Sequence, residues 1–356
     1  MKIEYEVRPR PRAKFHSEEW GYIGNEFGIS LESVLFLLPD SERVTKSTIT
    51  FKGLPEGWVA IMARRRLTET SFWIDKDLVD KHGRVTRLVA FGPFTLARRD
   101  FDGHELLIAI HKDIEFQEEI ETGVLGLVEY FQDVIGDYQP EILVAIVLPA
   151  QAREIEGLGE LVGMGEYASF FEIVPENHRY RGSFPQVMMD FPLHVSSTWF
   201  GEFEPGSISE NAFSWFCNPW RFYYGGRAMV DVFNWSEAEY LESLYHTWLR
   251  YKEANAGKEQ LPIYRDTVVN NEKKVPLFGY TLNEEIKRVT NGEKSVDDVI
   301  HYMYVDFALA GRDVTATGFL QAINKITGHD FTDFFNKYFY GTEEFPLVIE
   351  FEQKER

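Results

Sequence analysis

The chain has 356 residues, 44% of them apolar and 26% charged, a globular composition long enough for two or three domains. Its 57 acidic against 37 basic side chains give a net charge of −20, a field that repels nucleic acid and anionic membrane surfaces. No run approaches the roughly 20 apolar residues of a bilayer span, and the single cysteine, Cys217, excludes an intramolecular disulfide framework.

The first stretch, MKIEYEVRPRPRAKFHSEEW, carries basic residues but no apolar core of a secretory signal, so the expected setting is the cytoplasm. From residue 1 to 117 short alternating runs are separated by turns: SVLFLLP, STITFKG, GWVAIMA, VTRLVAFGPFTLA and ELLIAIHKDIEF. This spacing predicts a β-sandwich-like N-terminal domain. The basic runs Arg64–Arg66 and Arg98–Arg99 are expected at solvated strand edges.

The pattern changes near residue 118. Val124, Leu127, Val128, Phe131, Val134 and Ile135 recur at helical spacing and stop at Gly136, and the continuous apolar run EILVAIVLP follows as a fully buried strand. These begin an α/β lobe over 118–232, and a helical lobe follows over 233–356, for an α+β protein overall. In the helical lobe Ser236 with Glu239, and Ser295 with Asp298, read as capping boxes. Phe319, Ile323 and Ile326 mark a helix that stops at Gly328, another helix is expected from Asp330 to Gly341, and the closing EEFPLVIEFEQKER reads as a strand with a charged tail.

Several local patterns imitate catalytic motifs. HELLIAIH, His104 to His111, opens like a zinc helix, but Ile108 stands where the second histidine is needed and the alternation predicts a strand. GMGEYA, from Gly163, matches a dinucleotide fingerprint only in letters, because it does not directly join the buried strand to a helix. None of the nine histidines is followed by another three or four residues later, which excludes a one-helix imidazole site. His194 and Ser197 share a helical face but lack an evident orienting acid.

Three stretches together resemble the gluzincin metallopeptidases, especially the glycyl aminopeptidase family that usually carries a PDZ domain, and more distantly aminopeptidase N. EIKRVTNGEKSVDDVI with GRDVTATGFLQAINKITGHDFTDFFNKYFYGTEEFPL is similar to the family's helical lobe. YFQDVIGDYQPEILVAIVLP is similar to the helix, turn and strand that open its peptidase domain, and GMGEYASFF to the edge strand that holds a substrate amine, which would place Gly163 and Glu166 in a cleft. The third stretch is DFPLHVSSTWFGEFEPG. Aligned on Trp199, it puts Leu193 and Ser197 at the two histidine ligands and His194 at the general-base glutamate. In the downstream WFCNPWRFYY, Asn218 falls at the third ligand, with Glu210 the nearest alternative carboxylate. The family's oxyanion tyrosine has no counterpart in place; Tyr264 and Tyr280 are the nearest.

The resemblance implies a thermolysin-like α/β lobe between the β-rich and helical lobes, with the inherited zinc site lost, no catalytic residue and no PDZ domain. Leucine offers no lone pair, a neutral serine is a poor ligand and an asparagine carbonyl brings no charge. Pro192 is expected in the first turn of a helix or at a kink in a longer one, and the helix is expected to be shorter than an active peptidase's. Three functions then compete. The first is an inactive zinc-aminopeptidase homologue whose remnant aromatic cleft, lined by Trp199, Trp215, Trp220 and Tyr223, binds a peptide, small molecule or protein partner. The second is a metallopeptidase with ligands relocated to His194, Glu202, Glu204, Glu210 and Glu166. The third is a structural subunit whose cleft is filled by its own side chains.

Overall fold

The computed structural model describes residues 21–32, 46–75, 87–101, 103–137, 141–154, 163–166, 168–174, 188, 190–203 and 212–354. The run SVLFLLP, Glu204 and Glu210 lie outside them. The chain forms two compact units, Met1–Leu125 with Gln139–Thr198, and Gly126–Tyr138 with Trp199–Arg356. It is a mixed α+β protein.

The first unit is built on strands β1 (Gly21–Ile23), β2 (Gly28–Leu31), β3 (Lys46–Thr50), β4 (Val59–Met62), β5 (Arg66–Thr68), β6 (Ser71–Asp75), β7 (Leu88–Gly92), β8 (Phe94–Phe101), β9 (His104–His111), β10 (Ile142–Leu148), β11 (Gly163–Glu166) and β12 (Ser169–Ile173). They form three sheets, ordered β3-β6-β5, β1-β2-β7-β4 and β11-β12-β10-β9-β8. The middle sheet explains why VAIM and LVAF read as continuous apolar runs. Alternate residues of a strand point to opposite faces, so Ile61, Leu88 and Ala90 pack toward the five-stranded sheet while Ala60, Met62 and Val89 join Phe72 of the three-stranded one.

The buried run ILVAIVL is β10, central in the five-stranded sheet and parallel to both β9 and β12. One face carries Val144, Ile146, Phe171 and Ile173 into the inter-sheet core. The register places Ile110, Val147 and Glu172 side by side on the other. HELLIAIH is a strand, as its alternation predicts. VTRLVAFGPFTLA is two strands rather than one, because β7 ends at Gly92 and β8 starts beyond Pro93.

The basic run Arg64–Arg66 is not the uniformly solvated edge expected from sequence. Arg64 is buried and donates through Nε and an Nη to both carboxylate oxygens of Glu32, at 3.2 and 2.8 Å. Such a bidentate pair satisfies two buried charges at once. Arg66 is half-buried over the Phe72 ring, whereas Arg98 and Arg99 are exposed.

Helices α1 (Gln117–Ile135) and α2 (Phe191–Phe200) each contain one of the divisions between the units. The second unit adds α3 (Asn218–Asp231), α4 (Glu237–Ala254), α5 (Val268–Val289), α6 (Val296–Met303), α7 (Ala316–Thr327), α8 (Thr332–Tyr338) and α9 (Pro346–Lys354). Both expected capping boxes form, Ser236 with Glu239 at α4 and Ser295 with Asp298 at α6. Helix α7 stops at Gly328, whose φ of 72° is the left-handed cap conformation that glycine adopts without strain. Helix α8 is shorter than the expected 330–341 span.

The closing segment is a helix, not the strand its alternation suggested. Proline suits the first helical position, and Leu347, Val348 and Phe351 share a helical stripe in which Phe351 stacks on Tyr245 of α4 at 4.8 Å. Helix α5 runs through the lobe with Pro276 in its interior. Beside it the buried Lys274 ammonium binds the Asp266 carboxylate and donates to the Leu261 carbonyl at 2.7 Å. Among the described residues no helix is long and apolar enough to cross a membrane.

Candidate functional site

Helix α2 holds three of the four positions that match the zinc-site motif. It is only ten residues long, and Pro192 sits in its first turn, where a missing amide costs no intrahelical bond. The hydroxyls of Ser196, Ser197 and Thr198 each donate to the carbonyl three residues back, at 3.0, 2.5 and 2.7 Å. Buried hydroxyls bonded to their own turn are internally satisfied. Ser197 therefore does not engage the His194 ring; its partner is the His194 carbonyl. Leu193 is half-buried and offers no polar atom.

His194, which the resemblance aligns with the general base, has a partner that the sequence did not reveal. Its Nδ1 lies 2.6 Å from Oε2 of Glu172 on β12. The Glu172 side chain is 2% exposed and that of His194 16%. A carboxylate on an otherwise apolar sheet face needs a donor to offset its desolvation, and the imidazole supplies one. Only the alternation of SFFEI, which turns Phe171 and Ile173 one way and Phe170 and Glu172 the other, hinted that this glutamate faces inward.

The fourth position, Asn218, begins α3 immediately after a π-helical turn over Phe213–Cys217. Its amide donates to Oε1 of Glu272 on α5 at 2.6 Å. Burial raises the Glu272 pKa above its ordinary value, opposed by the Asn218 hydrogen bond and by the fields of Lys273 and Arg221. Next to it, Asn271 donates to the carbonyls of Ser214 and Ile263, both at 2.8 Å, anchoring the π-turn to α5.

The aromatic positions expected along a cleft are core residues of the second unit. Trp199, Trp215, Trp220 and Tyr223 are at most 2% exposed. Trp199 packs on Phe131 and donates its indole N–H to the Gly136 carbonyl at 2.9 Å. The His301 ring contacts the Ile135 carbonyl at 3.1 Å, and the Tyr304 hydroxyl donates to that of Asp137, also at 3.1 Å. These bonds satisfy the carbonyl of Ile135, which the end of α1 leaves open, and those of the two residues after it. Trp220 meets Tyr223, Phe278 and Phe319 edge-on. Tyr223 closes against Gly279, where an added Cβ would come within 2.7 Å of its ring.

Gly163 and Glu166 lie on β11, the antiparallel edge strand of the five-stranded sheet, with Gly163 opposite Glu172 in register. Glu202 is buried in a short turn after α2. Tyr264 sits in the turn Ile263–Arg265, and Tyr280 on α5. Among the described residues, no group of three or more His, Cys, Asp or Glu converges in a way that could hold a metal.

The sequence matches no protein-family model and no curated protein. Solved structures do match. An aminopeptidase N family protein from Idiomarina loihiensis superposes with a TM-score of 0.73 at 14% identity, over 95% of this chain and 62% of its own. Yeast LTA4 hydrolase in complex with bestatin gives 0.55 at 15% identity, over 89% of this chain and 51% of its own. A mutant M1 zinc metallopeptidase from Deinococcus radiodurans, bound to a Tyr-Ser-Ala substrate, gives 0.55 at 11% identity, over 90% and 71%. The chain thus has the metallopeptidase-like fold of the M1 aminopeptidases and spans 62% of the first of these structures and 51% of the second.

Proposed function

We propose that this chain is a non-catalytic homologue of the zinc aminopeptidases, in which the positions matching the metal ligands and the general base serve the fold. The observation that carries this reading is the 2.6 Å contact between His194 and the buried Glu172. A side chain at the position of a water-activating carboxylate is here an imidazole committed to a buried acid.

The donors present do not fit zinc. A catalytic site of this class takes two neutral imidazoles and a carboxylate and keeps one position open for water. Leu193 has no lone pair, the Ser197 hydroxyl is turned onto its own helix, and the Asn218 amide is bonded to Glu272. Without the metal and the general base, neither the attacking water nor the scissile carbonyl is activated. The burial of Trp199, Trp215, Trp220 and Tyr223 supports the form of this reading in which the aromatic positions fill the protein's own core. The single cysteine, Cys217, is buried and its thiol donates to the Phe203 carbonyl, and a chain with one cysteine forms no internal disulfide, in keeping with a cytoplasmic setting.

The test is hydrolysis of a library of peptides and aminoacyl nitroanilides by the purified full chain, with and without o-phenanthroline. We expect no chelator-sensitive cleavage. Robust cleavage that the chelator abolishes refutes the proposal and supports relocated ligands instead.

A further inference from the structure

We propose that His111 and Asp113 form a proton-operated latch on the turn that joins β9 to α1, in which the imidazole exchanges the backbone amide of Asp113 for its carboxylate. His111 ends the strand HELLIAIH and is not among the zinc-site positions. It is a buried residue of the first unit, directly across from Phe94 in the register of β8 and β9. The Phe94 ring lies 5.6 Å from the imidazole and the Phe27 ring 6.1 Å, both steeply inclined to it. This cage is close-packed on the side of Gly92, where an added Cβ would come within 2.7 Å of the Phe94 ring and 3.0 Å of Phe27.

Inside the cage the imidazole serves as an acceptor. Nδ1 takes the Asp113 amide hydrogen at 3.3 Å, which puts the ring proton on Nε2, and Nε2 is buried without a hydrogen bond of good geometry. The same turn is held by the His111 carbonyl, which accepts from the Ile114 amide, and by the Pro93 carbonyl, which accepts from that of Lys112, each at 3.0 Å. The acids that face the ring are Asp113, on the turn itself, and Glu26, between β1 and β2, while Phe27 and Phe94 bring no charge. Burial outweighs both acids and lowers the imidazole pKa below its ordinary 6.5.

With Nε2 already protonated, a second proton enters at Nδ1, and a proton there excludes the Asp113 amide. The replacement acceptor is close at hand. An Asp113 carboxylate oxygen stands 3.6 Å from Nδ1, on a side chain that is 75% exposed. One nitrogen cannot hold both bonds, so the turn has two discrete states and one proton selects between them. The turn leads into α1, whose Gln117 side chain donates back to the Ile114 carbonyl at 3.1 Å, so losing the amide bond loosens the start of that helix. Because the folded pKa is lowered, the amide-bound state is complete above 6.5 and is lost as the pH falls through the folded value.

The test is hydrogen exchange of the full chain at about pH 7.5 and about pH 5.5, read by mass spectrometry and corrected for the intrinsic pH dependence of exchange. Protection of residues 112–116 should fall several-fold at the lower pH while that of β10 holds. In His111→Asn, which keeps an acceptor near the Nδ1 position and takes up no proton, protection should not change with pH. In Asp113→Asn, which keeps the amide and removes the carboxylate, the fall should be smaller, because the protonated ring has lost its new partner. Thermal melts establish that the variants fold, and Asp113→Asn, at an exposed position, carries the test alone if His111→Asn does not fold. No fall in the unmodified chain, or an equal fall in Asp113→Asn, overturns the latch. An equal fall in His111→Asn overturns it as well, since other groups would then take up the proton.

Discussion

The two units bury their cores by different means. In the first, branched aliphatic side chains such as Ile61, Val144 and Ile146 fill the space between stacked sheets. In the second, rings pack on rings, and Phe216 alone meets Phe200, Phe203, Trp215, Trp220 and Phe319. Aliphatic layers tolerate small changes in shape, whereas ring contacts are large and directional and often also hold a hydrogen bond. The positions aligned with the zinc motif fall on both sides of this contrast. His194 and Ser197 are held by polar bonds in the first unit, and Trp199 and Trp220 are held by the aromatic core of the second.

The largest separation should come from truncating one residue of each kind. Trp199→Ala should cost about 4 kcal/mol, since it empties a ring site and removes the donor to Gly136, while Ile146→Val should cost about 1 kcal/mol. Urea unfolding followed by circular dichroism reads both, and equal costs would abolish the contrast. Asp266→Ala should follow at about 3 kcal/mol, because it leaves the Lys274 ammonium buried without its carboxylate. Adding Lys274→Met should recover part of that loss, the rest belonging to the bonds that Asp266 Oδ1 accepts from the Thr267 amide and Asn270, and a double variant no better than the single one would show that the pair is not the cause.

A smaller effect is expected at the motif helix. His194→Ala withdraws a donor from the buried Glu172 and should cost about 2 kcal/mol, whereas Glu172→Gln keeps an acceptor at that point and should cost less. The reverse order in thermal melts would mean that the contact does not hold the helix to the sheet.

Glu272→Gln should have the smallest effect, and a distinctive one. Because the folded pKa of Glu272 is raised, the native state holds its proton more tightly than the unfolded chain does. Its contribution is complete below the ordinary value of 4.5 and is lost as the pH rises through the folded value. The glutamine variant keeps an acceptor for Asn218 and has no proton to lose, so it should be at least as stable at neutral pH and should lack that part of the pH slope. Unfolding curves across the acidic range check the sign.

Much of the fold was legible because its signals are local. The capping boxes at Ser236 and Ser295 need only residues three apart, and Gly136 and Gly328 end their helices where the periodicity stops. PLVIEFEQK was misread because its apolar residues satisfy strand alternation and a helical stripe alike, and only the stacking of Phe351 on Tyr245 decides between them. Arg64 was misplaced because its partner, Glu32, lies 32 residues away. The contacts made at the candidate positions were hidden from the sequence. Glu172 lies 22 residues before His194 and Glu272 lies 54 after Asn218, separations that carry no periodic signal. Nor does sequence distinguish a tryptophan that lines a cleft from one that fills a core.

The central claim is that the zinc-site positions have been given over to the fold. Isothermal titration of zinc into the purified, chelator-washed full chain tests it most directly. The account predicts no saturable binding of one zinc per chain; a stoichiometric zinc site that is lost in the His194→Ala variant would contradict it.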